Sequence, residues 1–475
     1  MGVKRWTATK DTTITNAFKA NLTDRGTLGN MGASDILEAF VIAAQASSAS
    51  LESSRILVDF PVTQIATDRT AGLIPASGSV SFFLKLSNAF HGETTPKDFD
   101  LVVEPLSRSW TEGYGLDMEQ YLDLGSANWL SASSGVSWTT GGGDFLSSPV
   151  STASFDNGVE GLEVDITVLV ESWLSGTIPS NGIGVRFPDA SESGSTSFFT
   201  KRFFGRRSEH FYKRPWIEAR YNSSIKDNRN NFYISSSLVP AEDNLRTLFL
   251  YNRTPKGLRN IPAVGTGPIY MSLFSGVTYP FGPELLLHNS LLSVTGGAVD
   301  TGIYTASVAL NTTATTVFDV WHNNLTGSSR IEYFTGSAIQ VLSYSVVDQF
   351  EVGNHVVNIT NMKPRYSTTE RARFRTFTRP KDWSPTVYTM AVADIENTTI
   401  EDAYYRVFRV IDGLEVIPYG TGSDQHTLLS YDKDGNYFDL DMSIFEPDYQ
   451  YGIGLAFKLE DKIYEQNEVF KFRVE

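Results

Sequence analysis

The 475-residue chain contains no cysteine, which excludes disulfide frameworks, thiolate zinc sites and thiol nucleophiles. Histidine is sparse. His91, His210, His288, His322, His355 and His426 are scattered, and no two share a metal-ligand spacing, so neither a metal nor any other cofactor is expected. Positive charge is in deficit, with 39 Lys and Arg against 54 Asp and Glu and a formal net charge of −15. Phosphate-backbone attraction is therefore not the expected role, and nucleic acid is not an expected partner. No stretch approaches about 18 uninterrupted apolar residues, so no spanning helix and no membrane partner are expected. The opening Met1-Gly2-Val3-Lys4-Arg5-Trp6 has no apolar segment of the signal-peptide kind, and Trp6 stands where a myristoylation site needs Ser or Thr. A product made in the cytoplasm without a signal peptide is the expectation. Low-complexity tracts, heptads and short repeats are also missing.

What is abundant is strand material. Hydrophobic residues make up 41% of the chain, with 30 Phe, 21 Tyr and 8 Trp, a composition that favours sheets. Period-two alternation recurs: Ile56, Val58 and Phe60 share one strand face, as do Val80, Phe82, Leu84 and Leu86, and then Ile183, Val185 and Phe187. Ile166, Leu169, Val170, Trp173 and Leu174 instead form a helical stripe, with Asp165 or Thr167 to cap it and Gly176 to end it. Residues 222–231 are polar and read as a linker, and a second break falls near 361–365. The expected fold is all-β. An N-terminal jelly-roll or β-sandwich with one short helix (1–222) is followed by two smaller Ig-like β-sandwich domains (223–361 and 362–475).

No segment assembles a reactive constellation, so no catalytic residue is assigned and an enzyme is not expected. Glu112, after Trp110-Thr111, lacks the second carboxylate that glycoside hydrolysis needs. Asp432-Lys433-Asp434-Gly435-Asn436 begins like a calcium loop, but Tyr437 and Ser443 stand where Gly and Glu are required, so a hairpin turn is expected. Gly141-Gly142-Gly143-Asp144 is followed by no Lys-Ser/Thr and reads as a flexible loop. Two binding features remain. Tyr114, Trp129 and Trp138 lie in a Gly/Ser-rich stretch and form a candidate glycan platform. Arg371, Arg373 and Arg375, at i, i+2 and i+4 of one strand, form a candidate docking stripe for an acidic partner; Lys201-Arg202 and Arg206-Arg207 make a second basic cluster.

The ordered series Asp11-Thr12-Thr13-Ile14, Ser54 through Phe60, Trp110-Thr111-Glu112-Gly113, Trp138, Val164 through Trp173, Asn181-Gly182-Ile183-Gly184 and Arg214-Pro215 resembles the DNRLRE family of β-sandwich domains, related to carbohydrate-binding modules. The whole chain is similar to virion structural proteins of marine tailed phages, such as those of cyanobacteria. Asn30 through Asp35, Lys381-Asp382-Trp383-Ser384-Pro385, Ile417 through Gly422 and Phe470 through Val474 carry that likeness. The resemblance implies a non-enzymatic component of the neck, tail, fibre or head surface. It would be located in the virion, present as a symmetric homo-oligomer or in multiple copies, and bound to other virion proteins. The alternative is a carbohydrate-binding module that attaches a particle or an enzyme to host-surface glycans.

Overall fold

The computed structural model describes residues 2–237, 239–240, 242–288, 290–323, 329–343, 355–381, 384, 387, 397–459 and 462–475. The protein is all-β and multi-domain. Its internal contacts divide it into two units, Gly2–Asn222 and Ser223–Glu475.

In the first unit the alternating strands pack apolar face to apolar face. A four-stranded sheet runs in the order Val3–Thr7, Trp216–Arg220, Ser81–Leu86, Leu162–Asp165. The facing sheet has seven strands, with Ile36–Ala43, Leu51–Asp59, Ile183–Arg186 and Phe99–Pro105 at its centre. Register is fixed by pairs such as Trp6 with Ile217 and Ile183 with Val58, because a one-residue slip would turn every buried side chain outward. Phe82, Leu84, Ile56, Val58, Val185 and Phe187 meet between the sheets. The far side of the large sheet is not bare. Leu57 and Ile14 are covered there by Leu106, Trp110, Ala127, Ala132 and Trp138, which form a second small core beneath the loops.

The stripe helix spans Thr167–Leu174, with Leu169, Val170 and Trp173 buried. Asp165 Oδ1 accepts the Thr167 N–H at 2.7 Å, and Gly176 ends the helix at φ +73°. A second helix, Val62–Thr70, packs beside it through the Arg69–Glu171 ion pair, and a third covers Asp189–Glu192. Only the first carries a stripe readable at helical spacing; Val62–Thr70 buries just Ile65 and Asp68.

In the second unit, the strands after residue 231 build an eight-stranded sheet. Val294–Asp300 pairs with Ile269–Ser275 through one half and with Ile303–Val308 through the other, so the sheet folds over its own core. Tyr304 and Trp321 lie fully buried inside. The C-terminal strands form a four-stranded sheet and a six-stranded sheet. Rings bridge them, with Tyr405 to Phe438 at 4.4 Å and Phe374 to Phe472 at 6.0 Å between centroids. Strand His355–Ile359 pairs with Arg371–Pro380, so it belongs with these C-terminal sheets rather than with the middle block.

The polar segment expected to be a linker is built into the second unit. Asp227 and Asn228 are buried, and Asp227 N–H and Tyr431 N–H donate to Tyr431 O and Ile225 O at 3.0 Å each. Arg229 lies between Asp227 and Asp319, bonded to both, and donates to Phe249 O at 2.7 Å. Composition marked these residues as solvent-facing, but paired charges and amides tolerate burial when every group finds a partner.

Candidate binding surfaces

The cationic groups that read as docking elements are largely occupied by the fold itself. Arg373 forks onto Asp439 at 2.8 and 3.0 Å, and Arg375 onto Asp432 at 2.9 and 2.7 Å. Both guanidiniums lie over Tyr437. Arg371 is exposed and stands opposite Asp441 in the strand register. The stripe is real as one strand face, but the neighbouring strand supplies its counter-charges.

The other basic cluster is likewise internal. Arg206 and Arg207 both reach Glu112, Arg206 bidentately at 2.7 and 2.6 Å. Glu112 Oε1 also accepts the Asp11 N–H at 3.0 Å. Beside it, burial pushes the Asp11 carboxyl up to about 6. Arg202 pairs with Glu38 and Glu93. Lys201 is fully buried, and its ammonium donates to Asn88 Oδ1, Gly158 O and Glu160 O at 2.7, 2.8 and 2.6 Å. Across the small sheet, burial alone would push the Glu218 carboxyl up, but Arg5, Lys85 and Arg220 outweigh it and hold it well below the usual range.

The three aromatics of the candidate platform do not share a surface. Trp138 is 5% exposed, and its indole N–H is spent on Asn128 O at 2.8 Å. Trp129 packs against the same small core, with the Arg55 guanidinium 5.1 Å over its ring. Tyr114 alone stands out in solvent. The joint platform is therefore corrected to one exposed tyrosine, because the loop layer needs both indoles to seal the outer face of the large sheet. The glycine run is not loose either: Gly142 O accepts from Arg55 at 3.0 Å, and Asp144 Oδ1 ties Thr139 N–H at 2.8 Å.

The Asp432–Asn436 segment is a hairpin turn, as expected, with Asp432 opposite Gly435 and positive φ at Gly435. Among the described residues no group of three or more His, Asp or Glu is arranged to hold a metal ion, and no helix is long and apolar enough to cross a membrane.

Sequence reading missed the large apolar side chains left in solvent. In the first unit, Leu116, Tyr121 and Leu124 are exposed on loop 113–130, and Leu22 and Leu28 on the neighbouring loop 19–30. The two loops are joined by Trp129 N–H to Thr27 O at 3.1 Å and Ala20 N–H to Glu119 Oε1 at 3.1 Å. Gly26 permits the approach, since a Cβ there would lie 2.6 Å from Met118 Cβ.

In the second unit, residues 277–292 expose Val277 (83%), Phe281 (85%), Tyr279, Leu286, Leu291 and Leu292. Tyr279 and Phe281 keep their rings 5.0 Å apart, and Gly282 N–H bonds back to Ser275 O at 2.8 Å. The one carboxylate here, Glu284, is paired with Arg330 at 3.0 Å. This loop is a largely apolar surface, its single acid matched by Arg330, on a strongly acidic chain. No periodic signal marks it, because exposure of a loop depends on what packs over it.

No family model matches the chain, and no curated protein matches it. Among solved structures, a tetra-tandem repeat from the extending region of a large adhesion protein aligns over 98% of this chain and 99% of its own, at 7% identity and a TM-score of 0.15. A DUF4785 family protein from Legionella pneumophila aligns over 92% and 90%, at 8% identity and a TM-score of 0.12. Likenesses at these scores carry no argument about fold or function.

Proposed function

We propose that this chain is a non-enzymatic structural protein of a tailed-phage virion, a multi-domain β component of the neck, tail, fibre or head surface that docks onto neighbouring virion proteins. The observation that carries the reading is the apolar loop 277–292, with Val277 and Phe281 almost fully in solvent and its one carboxylate, Glu284, already paired with Arg330. Isolated apolar side chains on a surface are ordinary, whereas a cluster on one loop marks an interaction site. Aromatic anchors of this kind dominate protein interfaces, and the net charge of −15 keeps free subunits apart until such a surface is covered. The arginine stripe contributes less, since its charges are already matched by Asp432 and Asp439.

The test is incorporation. Val277→Ser with Phe281→Ser removes the anchors without touching a core, so the variant should fold normally yet be depleted at least tenfold from purified particles. Undiminished incorporation overturns the docking assignment.

A further inference from the structure

The polar segment around Lys226, Asn228 and Asn231 lines a cleft of about 640 Å³ in the second unit, within the range of small-ligand sites. Its walls are held in place. Asn228 Oδ1 accepts the Thr247 N–H at 2.8 Å, and Asn228 Nδ2 donates to Tyr431 Oη at 2.9 Å. Asn231 Nδ2 donates to Glu401 Oε1 at 2.5 Å, and Asn230 Nδ2 to Thr399 Oγ1 at 3.0 Å. Arg246, itself buried, lies over the Tyr233 ring and donates to Tyr233 O at 3.2 Å. Polar groups fixed in this way cost little to order when a ligand arrives.

One donor stands out. Tyr431 is buried, and its hydroxyl accepts from Asn228. A phenol is protonated at neutral pH, so Tyr431, which lines the cleft, has its own O–H to donate. The chemistry of the lining narrows the ligand. Glu242, Asp243 and Glu401 outnumber Lys226 and Arg246, and Lys226 is already paired with Asp402 at 3.2 Å, which disfavours an anion. An apolar ligand would strip water from the Glu242, Asp243 and Glu401 carboxylates and return nothing for it. A neutral polyol supplies donors and acceptors together, and Leu245, half exposed at the rim, can pack against its C–H face.

We propose that this cleft binds a neutral saccharide, with Tyr431 as donor and Glu401 as acceptor for its hydroxyls. The site lies away from loop 277–292 in sequence, and the proposal does not rest on the docking reading. The test is saturation-transfer NMR on the full chain with neutral gluco-, manno-, galacto- and N-acetylglucosamine mono- and oligosaccharides. At least one should bind, and Tyr431→Phe and Glu401→Gln should each weaken it roughly five- to tenfold, the loss of one hydrogen bond. Glu401→Gln should leave the thermal midpoint unchanged, which separates lost binding from lost folding. Stronger binding of oligosaccharides than of monosaccharides would identify a polymer chain as the source, and the reverse a free sugar. Absence of binding across the panel overturns the proposal, as does binding that survives both substitutions or disappears on Tyr114→Ala.

Discussion

Replacing Lys201 by methionine sets two physical effects against each other. The side chain is fully buried, and burial pushes its ammonium down to about 8, so it remains charged at neutral pH. Burying a charge is costly, and methionine would fill similar space without that cost. Against this stand three oxygens at 2.6 to 2.8 Å and the rings of Phe155 and Phe203, each 5.0 Å away. Removing the donor strands Gly158 O, which is buried, at roughly 1–3 kcal/mol, and weakens two partly buried acceptors by roughly 0.5–1 kcal/mol each. These losses sum to roughly 2–5 kcal/mol and relief of the buried charge returns about 1–2 kcal/mol, so the expected result is a net loss of about 1–3 kcal/mol in the first unit. Urea unfolding followed by tryptophan fluorescence reports mainly on this unit, because six of the eight tryptophans, Trp6, Trp110, Trp129, Trp138, Trp173 and Trp216, belong to it. An unchanged or raised midpoint would show that desolvation wins and would refute the reasoning.

Two further outcomes follow from the first unit. Trp173→Ala should cost roughly 3–5 kcal/mol in the same assay. Trp173→Phe should cost far less, because the buried indole N–H has no hydrogen-bond partner to lose; equal losses would contradict this assignment. Asp11 sets a pH dependence. Its folded pKa of about 6 lies above the unfolded value, so the folded state takes up the proton more readily between about pH 4 and 6. This contribution to stability grows as pH falls through that window and is lost as pH rises. Asp11→Asn, which never ionises, should therefore gain on the wild type between about pH 4 and 7, by at most about 3 kcal/mol. A constant difference across that range would count against the buried carboxyl.

Much of the fold was legible because burial imposes period two on a strand and a stripe on a helix. Ser81–Leu86 and Thr167–Leu174 were visible for that reason. Gln450–Leu459 was not: it is buried on both faces and interrupted by Gly452 and Gly454, so no alternation shows. Phe198–Phe204 hides its inward Lys201 in what reads as a basic cluster. The binding surfaces were harder still. Trp129 and Trp138 carry the residue type that stacks on sugars, but only tertiary packing decides whether an indole seals a core or meets solvent. Conversely, Asp227, Asn228 and Arg229 look like linker residues, yet partners distant in sequence bury the first two and pair the third. Lys381 through Pro385, used for the phage likeness, includes residues 382, 383 and 385, which lie outside the described residues.

The central claim is that this chain works as a fixed part of a particle, and quantitative mass spectrometry across a density gradient of phage particles tests it most directly. The account predicts that the protein co-sediments with infectious particles at a constant copy number relative to the major capsid protein. Recovery only in the particle-free supernatant would contradict it.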